Sequence, residues 1–345
     1  MRRRVLFVCC AALILLVLPL SAKKQAHFAA FYVFGDSLVD NGNDFIASQQ
    51  LGLVPAIPPS VSPHDTYFEG RFSNGPIEFE YLWQMLEHRK PGTKKALIPY
   101  FQNPCDRNVP AEIGGAVDFG FGGSGTGIAN VTLGGFSVPG LLGQLGLFNC
   151  ALHGQTAPPD ALYAIWSGAN DYFNYLSPAP VDPILTPTQV VANIIQAIQL
   201  LYAAGARHII VLNQPDLGNI PLVLGTAGSP ILTGLSQEHN TRLATALTQL
   251  QQFLPDLDLI SVDVKEALSH VPADANKTLP ALDALFPPAG IGQIPMSRCL
   301  FLATTACQDV PTFDVDFQYA FWDVEHPTTE VHRLIAEQIY SRMIE

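Results

Sequence analysis

The sequence predicts an α/β fold: one parallel five-stranded sheet covered by helices on both faces. Three observations lead there. Short apolar runs recur along the chain, they are closed by glycine or polar turn residues, and most lead into a segment with helical spacing. The runs are apolar at consecutive positions, which suits strands buried on both faces. Strand alternating with helix is the pattern of a parallel sheet sandwiched between helix layers.

The elements follow in order. Phe28–Phe34 is the first strand, ended by Gly35. Ile77–Glu87 carries Phe79, Leu82, Trp83 and Leu86 at helical spacing. Ala116–Phe121 and Ala161–Trp166 are the next two strands. Thr188–Ala204 is a helix stopped by Gly205, because glycine readily ends a helix. His208–Leu212 is the fourth strand, Ser236–Phe253 a helix with Leu243, Leu247 and Leu250 on one stripe, and Leu257–Val262 the fifth strand. A helix over Thr328–Met343 closes the chain. The proline-rich pieces Val54–Pro63, Pro178–Pro187 and Leu285–Pro295 read as loops, since the rhythm resumes after each. No internal repeat is visible, so one domain with long loop insertions is expected.

The N-terminus reads as an address. Arg2, Arg3 and Arg4 precede an uncharged run from Val5 to Leu20, and Ser21-Ala22 offers small residues for cleavage. That is the build of a secretory signal peptide, and the run is short for a membrane span. Residues 1–22 are therefore expected to leave, giving a secreted or periplasmic domain of residues 23–345. Cys105, Cys150, Cys299 and Cys307 remain, and an even number in an exported chain favours disulfides. Proximity in sequence suggests Cys299 with Cys307 and Cys105 with Cys150. With no CxxC pair or HExxH stretch, a metal centre is not expected. With 345 residues, 48% of them hydrophobic, the chain can bury a large core, and its formal charge of -12 argues against a nucleic-acid partner.

In such sheets chemistry gathers at the carboxyl ends of the strands. Ser37 follows directly on the first strand in FYVFGDSLVDNGND. A serine there needs a base, and His326 in FWDVEHPTTEVH has Asp323 three residues before it. That spacing lets a carboxylate hold one imidazole nitrogen while the other faces a hydroxyl. In an arbitrary chain, a D-x-x-H pair is more often a turn with a helix-capping aspartate. A developing oxyanion also needs donors. Gly123 in DFGFGGSGTG and Asn170 in WSGANDY follow the second and third strands and supply a backbone amide and a side-chain amide. Gly122 is the neighbour that competes with Gly123 for that role. Gly120, Gly122 and Gly125 also satisfy a dinucleotide fingerprint, but no acid lies between Asp118 and Asp160 and the residues that follow are not helical. G-x-S-x-G does not occur, so a nucleophile elbow of the α/β-hydrolase type is unavailable.

Four blocks in order, FGDSLVDNGN, DFGFGGSG, SGANDY and FWDVEHPT, resemble the GDSL lipases and esterases, the SGNH hydrolases. The resemblance spans nearly the whole mature chain. It implies a flavodoxin-like three-layer α/β/α fold, with Ser37 as nucleophile, His326 as base and Asp323 orienting it. The Ser37 amide, the Gly123 amide and the Asn170 side chain form the implied oxyanion hole. No metal or organic cofactor is implied. The first and last blocks look most like a secreted bacterial branch of phospholipases, lysophospholipases and acyltransferases that use sterols. A lipid ester is thus the expected substrate, with an acceptor alcohol such as a sterol and transient membrane-surface contact as possible partners. Apolar loops at Leu51–Ile57, Ile220–Leu224 and Ile291–Met296 are candidates to flank an acyl groove. GFGG departs from the Ala-Ser seen more often in relatives and leaves substrate size open. The alternatives are a carbohydrate acetylesterase of the same fold and a non-catalytic envelope protein. Asp171 could tie its loop by hydrogen bonds. His332, six residues past His326, is given no role, and His64, His153 and His208 are read as structural or surface residues. The sequons at Asn130 and Asn276 matter only in a glycosylating host.

Overall fold

The computed structural model of the protein describes residues 28–61, 64–65, 67–87, 96–102, 104, 115–131, 137–180, 182–264 and 321–344. In chain order the first elements are β1 (Phe31–Gly35), α1 (Asn43–Gln50), β2 (Ser60–Val61), β3 (His64–Asp65), α2 (Glu78–Glu87), β4 (Leu97–Pro99) and β5 (Ala116–Asp118). There follow β6 (Ala129–Val131), β7 (Ser137–Pro139), α3 (Leu141–Ala151), β8 (Leu162–Trp166), α4 (Ala169–Phe173) and α5 (Pro187–Ala204). The last are β9 (His208–Leu212), α6 (Gly228–Phe253), β10 (Asp258–Val262) and α7 (Thr329–Ile344).

The main sheet is parallel throughout, in the order β10-β9-β8-β1-β5-β4. All five expected strands are in it. Phe119 and Phe121 extend the pairing of β5 past Asp118, donating to Val33 O and Gly35 O. A sixth strand, β4, adds at one edge beyond the five anticipated. Three residues ending in Pro99 give too short a run to stand out, and proline is tolerated at an edge where no ladder donor is needed. β1 lies at the centre, and the order reverses on either side of it, towards β5 on one flank and β8 on the other. That is the switch point where ligand crevices open in sheets of this class.

Alternation along β1 defines the two faces. The Phe31 ring meets Phe79 and Trp83 of α2, each at 5.7 Å between centroids. Tyr32 and Phe34 point the other way, onto Phe148 of α3 at 5.1 and 5.6 Å. Helix α2 packs with α7 on one side, while α3, α5 and α6 pack in succession on the other. This is the expected three-layer arrangement.

Local chemistry explains the helix ends. Thr186 and Gln189 form a capping box at α5, Pro187 takes the first helical position, and Gly205 ends the helix at φ 128°. Helix α6 begins at Gly228, eight residues before the expected start at Ser236. Pro230 suggests a break, but in the first turn its missing N–H has no helical partner to lose. Helix α3 was not anticipated, because Gly143 and Gly146 interrupt an otherwise uniformly apolar segment.

The predicted leader, residues 1–22, lies outside the described residues, as do Cys105, Cys299, Cys307, Asn276 and residues 291–296. Cys150, on α3, is disulfide-bonded. Among the described residues no helix is long and apolar enough to cross a membrane.

Candidate active site

Strand β1 leaves the sheet at a point where only glycine fits. A Cβ on Gly35 would lie 2.0 Å from Trp166 O on the neighbouring strand. Gln144 of α3 holds the same residue from below: its Oε1 accepts the Gly35 N–H at 2.9 Å and its amide donates to Gly35 O at 2.7 Å. The chain then turns, with the amides of Val39 and Asp40 bonded back to Asp36 O. This places the half-buried Ser37 above the carboxyl edge.

The DNGND segment fixes the turn by satisfying its own backbone. Asp40 Oδ1 accepts the amides of Gly42 and Asn43, and its Oδ2 accepts those of Asp44 and Gly122. Asn41 N–H donates to Asp118 Oδ2, and the Asn43 amide donates to Asp118 O and Gly120 O. One buried carboxylate therefore joins the Ser37 turn to the glycine loop after β5. Burial pushes the Asp40 carboxyl up to about 6, although the four amides it accepts draw it down. Burial likewise pushes Asp36 up to about 7.

His326 lies across from Ser37, 289 residues away in sequence. Its Nε2 is 2.8 Å from Ser37 Oγ, and its Nδ1 is 2.6 Å from Asp323 Oδ2. An ionised Asp323 only accepts, so the Nδ1 proton faces it and Nε2 is left to accept the Ser37 hydroxyl. Asp323 Oδ1 accepts the amides of Glu325 and His326, which fixes the turn. Burial acts to raise the Asp323 carboxyl. The His326 ring, the Glu325 amide and the Tyr67 hydroxyl outweigh it and hold the group below the usual carboxylate range. For His326 burial acts to lower the pKa, but Asp323, then Glu325 and Asp36, raise it above that of a free imidazole.

The start of α7 is clasped by residues 73–81. Ser73 Oγ donates to Pro327 O at 3.0 Å, Thr329 N–H donates to Asn74 Oδ1 at 2.8 Å, and Thr329 Oγ1 donates to Pro76 O at 2.7 Å. A turn further on, His332 Nδ1 meets Glu78 Oε2 at 2.5 Å, both side chains fully buried between α7 and α2. His332 does not share the His326 face, as its spacing implied, but it is a buried anchor rather than a residue without a role.

The third corner comes from the ends of β5 and β8. Gly123, at φ 78°, is in the left-handed region that favours glycine. The structure separates the two glycine candidates: the Gly122 N–H is taken by Asp40 Oδ2 at 3.1 Å, whereas the Gly123 and Ser37 amides make no hydrogen bond to the described residues. Asn170 Nδ2 donates to Ser124 O at 3.0 Å, which aims its amide along the glycine loop and leaves a second N–H. Asp171 ties the same loop through the Thr126 N–H at 2.8 Å, as its position suggested. All five sequence-predicted residues, Ser37, Gly123, Asn170, Asp323 and His326, thus stand at the carboxyl ends of β1, β5 and β8 and at the approach to α7.

Sequence reasoning missed Gln144, Tyr67, Glu78 and the fourfold role of Asp40. Tyr67 OH donates to Asp323 Oδ2 at 2.7 Å. Asn130, the first sequon, is buried, and its Oδ1 accepts the Gly125 N–H at 2.8 Å, so it serves the glycine loop. Of the apolar loops, Leu51, Val54 and Leu222 are exposed, and Ile220 and Val223 are core residues. His153 is exposed, and His208 pairs with Asp258 at 2.9 Å. Among the described residues no group of three or more His, Cys, Asp or Glu side chains could hold a metal ion.

Comparison with known proteins follows the same lines. The GDSL-like Lipase/Acylhydrolase family model matches residues 31–339. A phosphatidylcholine-sterol acyltransferase of Aeromonas hydrophila is 26% identical, covering 96% of this chain and 94% of its own. A GDSL esterase/lipase of Arabidopsis thaliana is also 26% identical, over 91% of this chain and 88% of its own. Among solved structures, a catalytic mutant of an acetylxylan esterase from Geobacillus stearothermophilus aligns over 92% of this chain and 95% of its own, at 14% identity and a TM-score of 0.45.

Proposed function

The chain belongs to the GDSL-like lipase/acylhydrolase family and is a carboxylic ester hydrolase; from that premise we propose that it is an exported enzyme that cleaves lipid esters through an acyl-enzyme on Ser37. The observation that carries the mechanism is the 2.8 Å contact of Ser37 Oγ with a His326 ring whose other nitrogen is held by Asp323.

In this reading His326 Nε2 takes the hydroxyl proton as Ser37 Oγ attacks the ester carbonyl carbon. The Ser37 and Gly123 amides and the second Asn170 N–H receive the developing oxyanion. Donors of this kind each contribute roughly 3–4 kcal/mol to lowering the barrier. His326 returns the proton to the leaving alcohol, and the acyl group stays on Ser37. Water, or the hydroxyl of an acceptor alcohol, then repeats the sequence in reverse, giving the free acid or a new ester. Lysophospholipid is the favoured substrate and a sterol the favoured acceptor. The similarity over nearly the full length to a phosphatidylcholine-sterol acyltransferase supports a phospholipid acyl donor and a sterol acceptor. Export is supported by the arginine head, apolar run and small residues of positions 1–22.

The test is a panel of lysophosphatidylcholine, phosphatidylcholine and p-nitrophenyl acetate, with and without cholesterol, on wild type beside Ser37→Ala. We expect release of long-chain acid by wild type, cholesteryl ester when the sterol is present, and a loss of at least 1000-fold in the variant. Activity confined to the acetyl ester would overturn the lipid assignment. Retention of activity by Ser37→Ala would overturn the mechanism.

A further inference from the structure

We infer that Tyr67 is a positioning residue of the catalytic group, shared by the base and its carboxylate: its hydroxyl is the second hydrogen bond on the same Asp323 oxygen that receives the His326 Nδ1 proton. This rests on the reading of Ser37, His326 and Asp323 given above and adds a fourth member from a segment in which the sequence pointed to no site residue.

The geometry is specific. Asp323 Oδ2 lies 2.7 Å from Tyr67 OH and 2.6 Å from His326 Nδ1, so one carboxylate oxygen accepts from two rings. Its other oxygen is filled by the Glu325 and His326 amides. Asp323 is thus held from four directions with 3% of its surface exposed. Tyr67 is itself 2% exposed and lies 256 positions from its acceptor in sequence. Its ring stands edge-on to Phe72 and to Trp322, and its amide donates to Pro59 O. Phe72 in turn lies against the His326 ring at 5.1 Å between centroids. The segment 67–72 therefore touches both members of the pair, the carboxylate through a hydroxyl and the imidazole through a phenyl face.

Two consequences follow from the chemistry. A buried carboxylate needs its lone pairs satisfied to remain ionised, and Tyr67 supplies one of the four donors that do so. Its hydroxyl also draws charge from the oxygen that faces His326, which tempers the pull of Asp323 on the ring proton. The other charged groups facing the ring are Glu325, on its own segment, and Asp36, on the turn after β1.

Tyr67→Phe tests this while keeping the ring between Phe72 and Trp322. We expect kcat to fall about tenfold with KM within about twofold, as for loss of one hydrogen bond to a charged group. We expect fluorophosphonate labelling of Ser37 to slow by a similar factor. The acid limb of the pH profile separates positioning from loosened structure. If Tyr67 tempers Asp323, the variant leaves the full carboxylate charge on His326 and the limb moves to higher pH. If the variant merely loosened the site, Asp323 and His326 would drift apart and the limb would move to lower pH. An unchanged kcat, or a limb displaced to lower pH, overturns the inference. Wild type that is labelled by the probe while Tyr67→Phe behaves identically refutes only the role of Tyr67; wild type that is not labelled at Ser37 refutes the underlying assignment and this inference with it.

Discussion

Ser37 and His326 stand a hydrogen bond apart, yet the two corners are built differently. The nucleophile corner is an extension of the central strand. Gly35 is wedged against Trp166 O, Gln144 grips it from the helix layer, and Asp40 binds four amides of the two adjoining loops. The base corner is a turn on the approach to the last helix, attached by Tyr67, Ser73 and Asn74 of a different loop and by Glu78 at the start of α2. At the first corner a single carboxylate serves two loops at once. At the second, several side chains each make one connection. The first arrangement is rigid and vulnerable at one point; the second spreads the same task over many bonds.

The largest effect should come from Asp40→Asn. The variant side chain has one oxygen, so it can accept on one side only, and its NH₂ would face two backbone N–H donors on the other. Whichever way it turns, either the Gly42 and Asn43 amides or the Asp44 and Gly122 amides lose their acceptor. Loss of the Gly122 bond frees the loop that presents Gly123. We expect kcat/KM to fall about 100-fold, in the range for losing one oxyanion donor. The thermal midpoint should drop by roughly 5–10 °C, from buried amides left without a partner. Full activity in this variant would break the contrast, because it would show that the nucleophile corner does not hang on one carboxylate.

The same contrast explains what could be read from the sequence. The Ser37 turn is local: its glycine, serine, aspartates and asparagines are consecutive, and each bonds to the next few residues or to the neighbouring strand. His326 and Asp323 are three residues apart and likewise readable as a pair. The long strands and the helices with clear stripes were readable because periodicity is a local property. The partners that span the chain were not. Gln144 reaches Gly35 over 109 residues, and Tyr67 reaches Asp323 over 256. Nothing in the spacing of a lone glutamine or tyrosine announces such a contact. His332 looked idle for the same reason, since its partner Glu78 lies on another helix. Strand β4 was hidden by its three-residue length and α3 by its glycines.

A smaller effect is expected at the base corner from Glu78→Gln. The variant keeps the shape of the side chain but removes the charge that faces His332 in a fully buried contact. Burial already pushes the Glu78 carboxyl above its usual range, against the opposing pull of His332. The amide keeps a hydrogen-bonding group opposite His332 but gives up the charge, and the midpoint should fall by about 2–5 °C. Turnover at 25 °C should change less than about threefold, because Ser73, Asn74 and Pro76 still hold Pro327 and Thr329. Steady-state kinetics beside a melting curve check this. A loss of turnover as large as that of Asp40→Asn would mean that the base corner, too, depends on one link.

The gentlest perturbation is pH, which alters no residue, and here the corners should pull in the same direction for opposite reasons. Around the nucleophile Asp36 is raised to about 7, Asp40 and Asp171 to about 6, and Asp44 and Asp118 well above the usual range. Burial is the main cause in each. An acid with a raised folded pKa binds its proton more readily folded than unfolded, so each loses stability as pH rises from about 4 to its folded value. At the base His326 is raised as well, so its contribution is full below about 6.5 and is lost as pH climbs through its folded pKa. Asp323 is lowered, and its contribution vanishes only below the ordinary carboxylate range. His239, buried and lowered to about 4, opposes the trend as pH falls below about 6.5, but it is one group against six. The thermal midpoint should therefore rise by about 3–6 °C between pH 8 and pH 5.5. Turnover should fall over the same interval as His326 takes up its proton. Calorimetry beside a pH–rate profile tests this, and the Asp40→Asn variant should show a shallower slope of midpoint against pH. A midpoint that falls along with turnover on acidification would mean that the buried carboxyls are ionised in the folded protein, and that the nucleophile turn is held by charge rather than by shared protons.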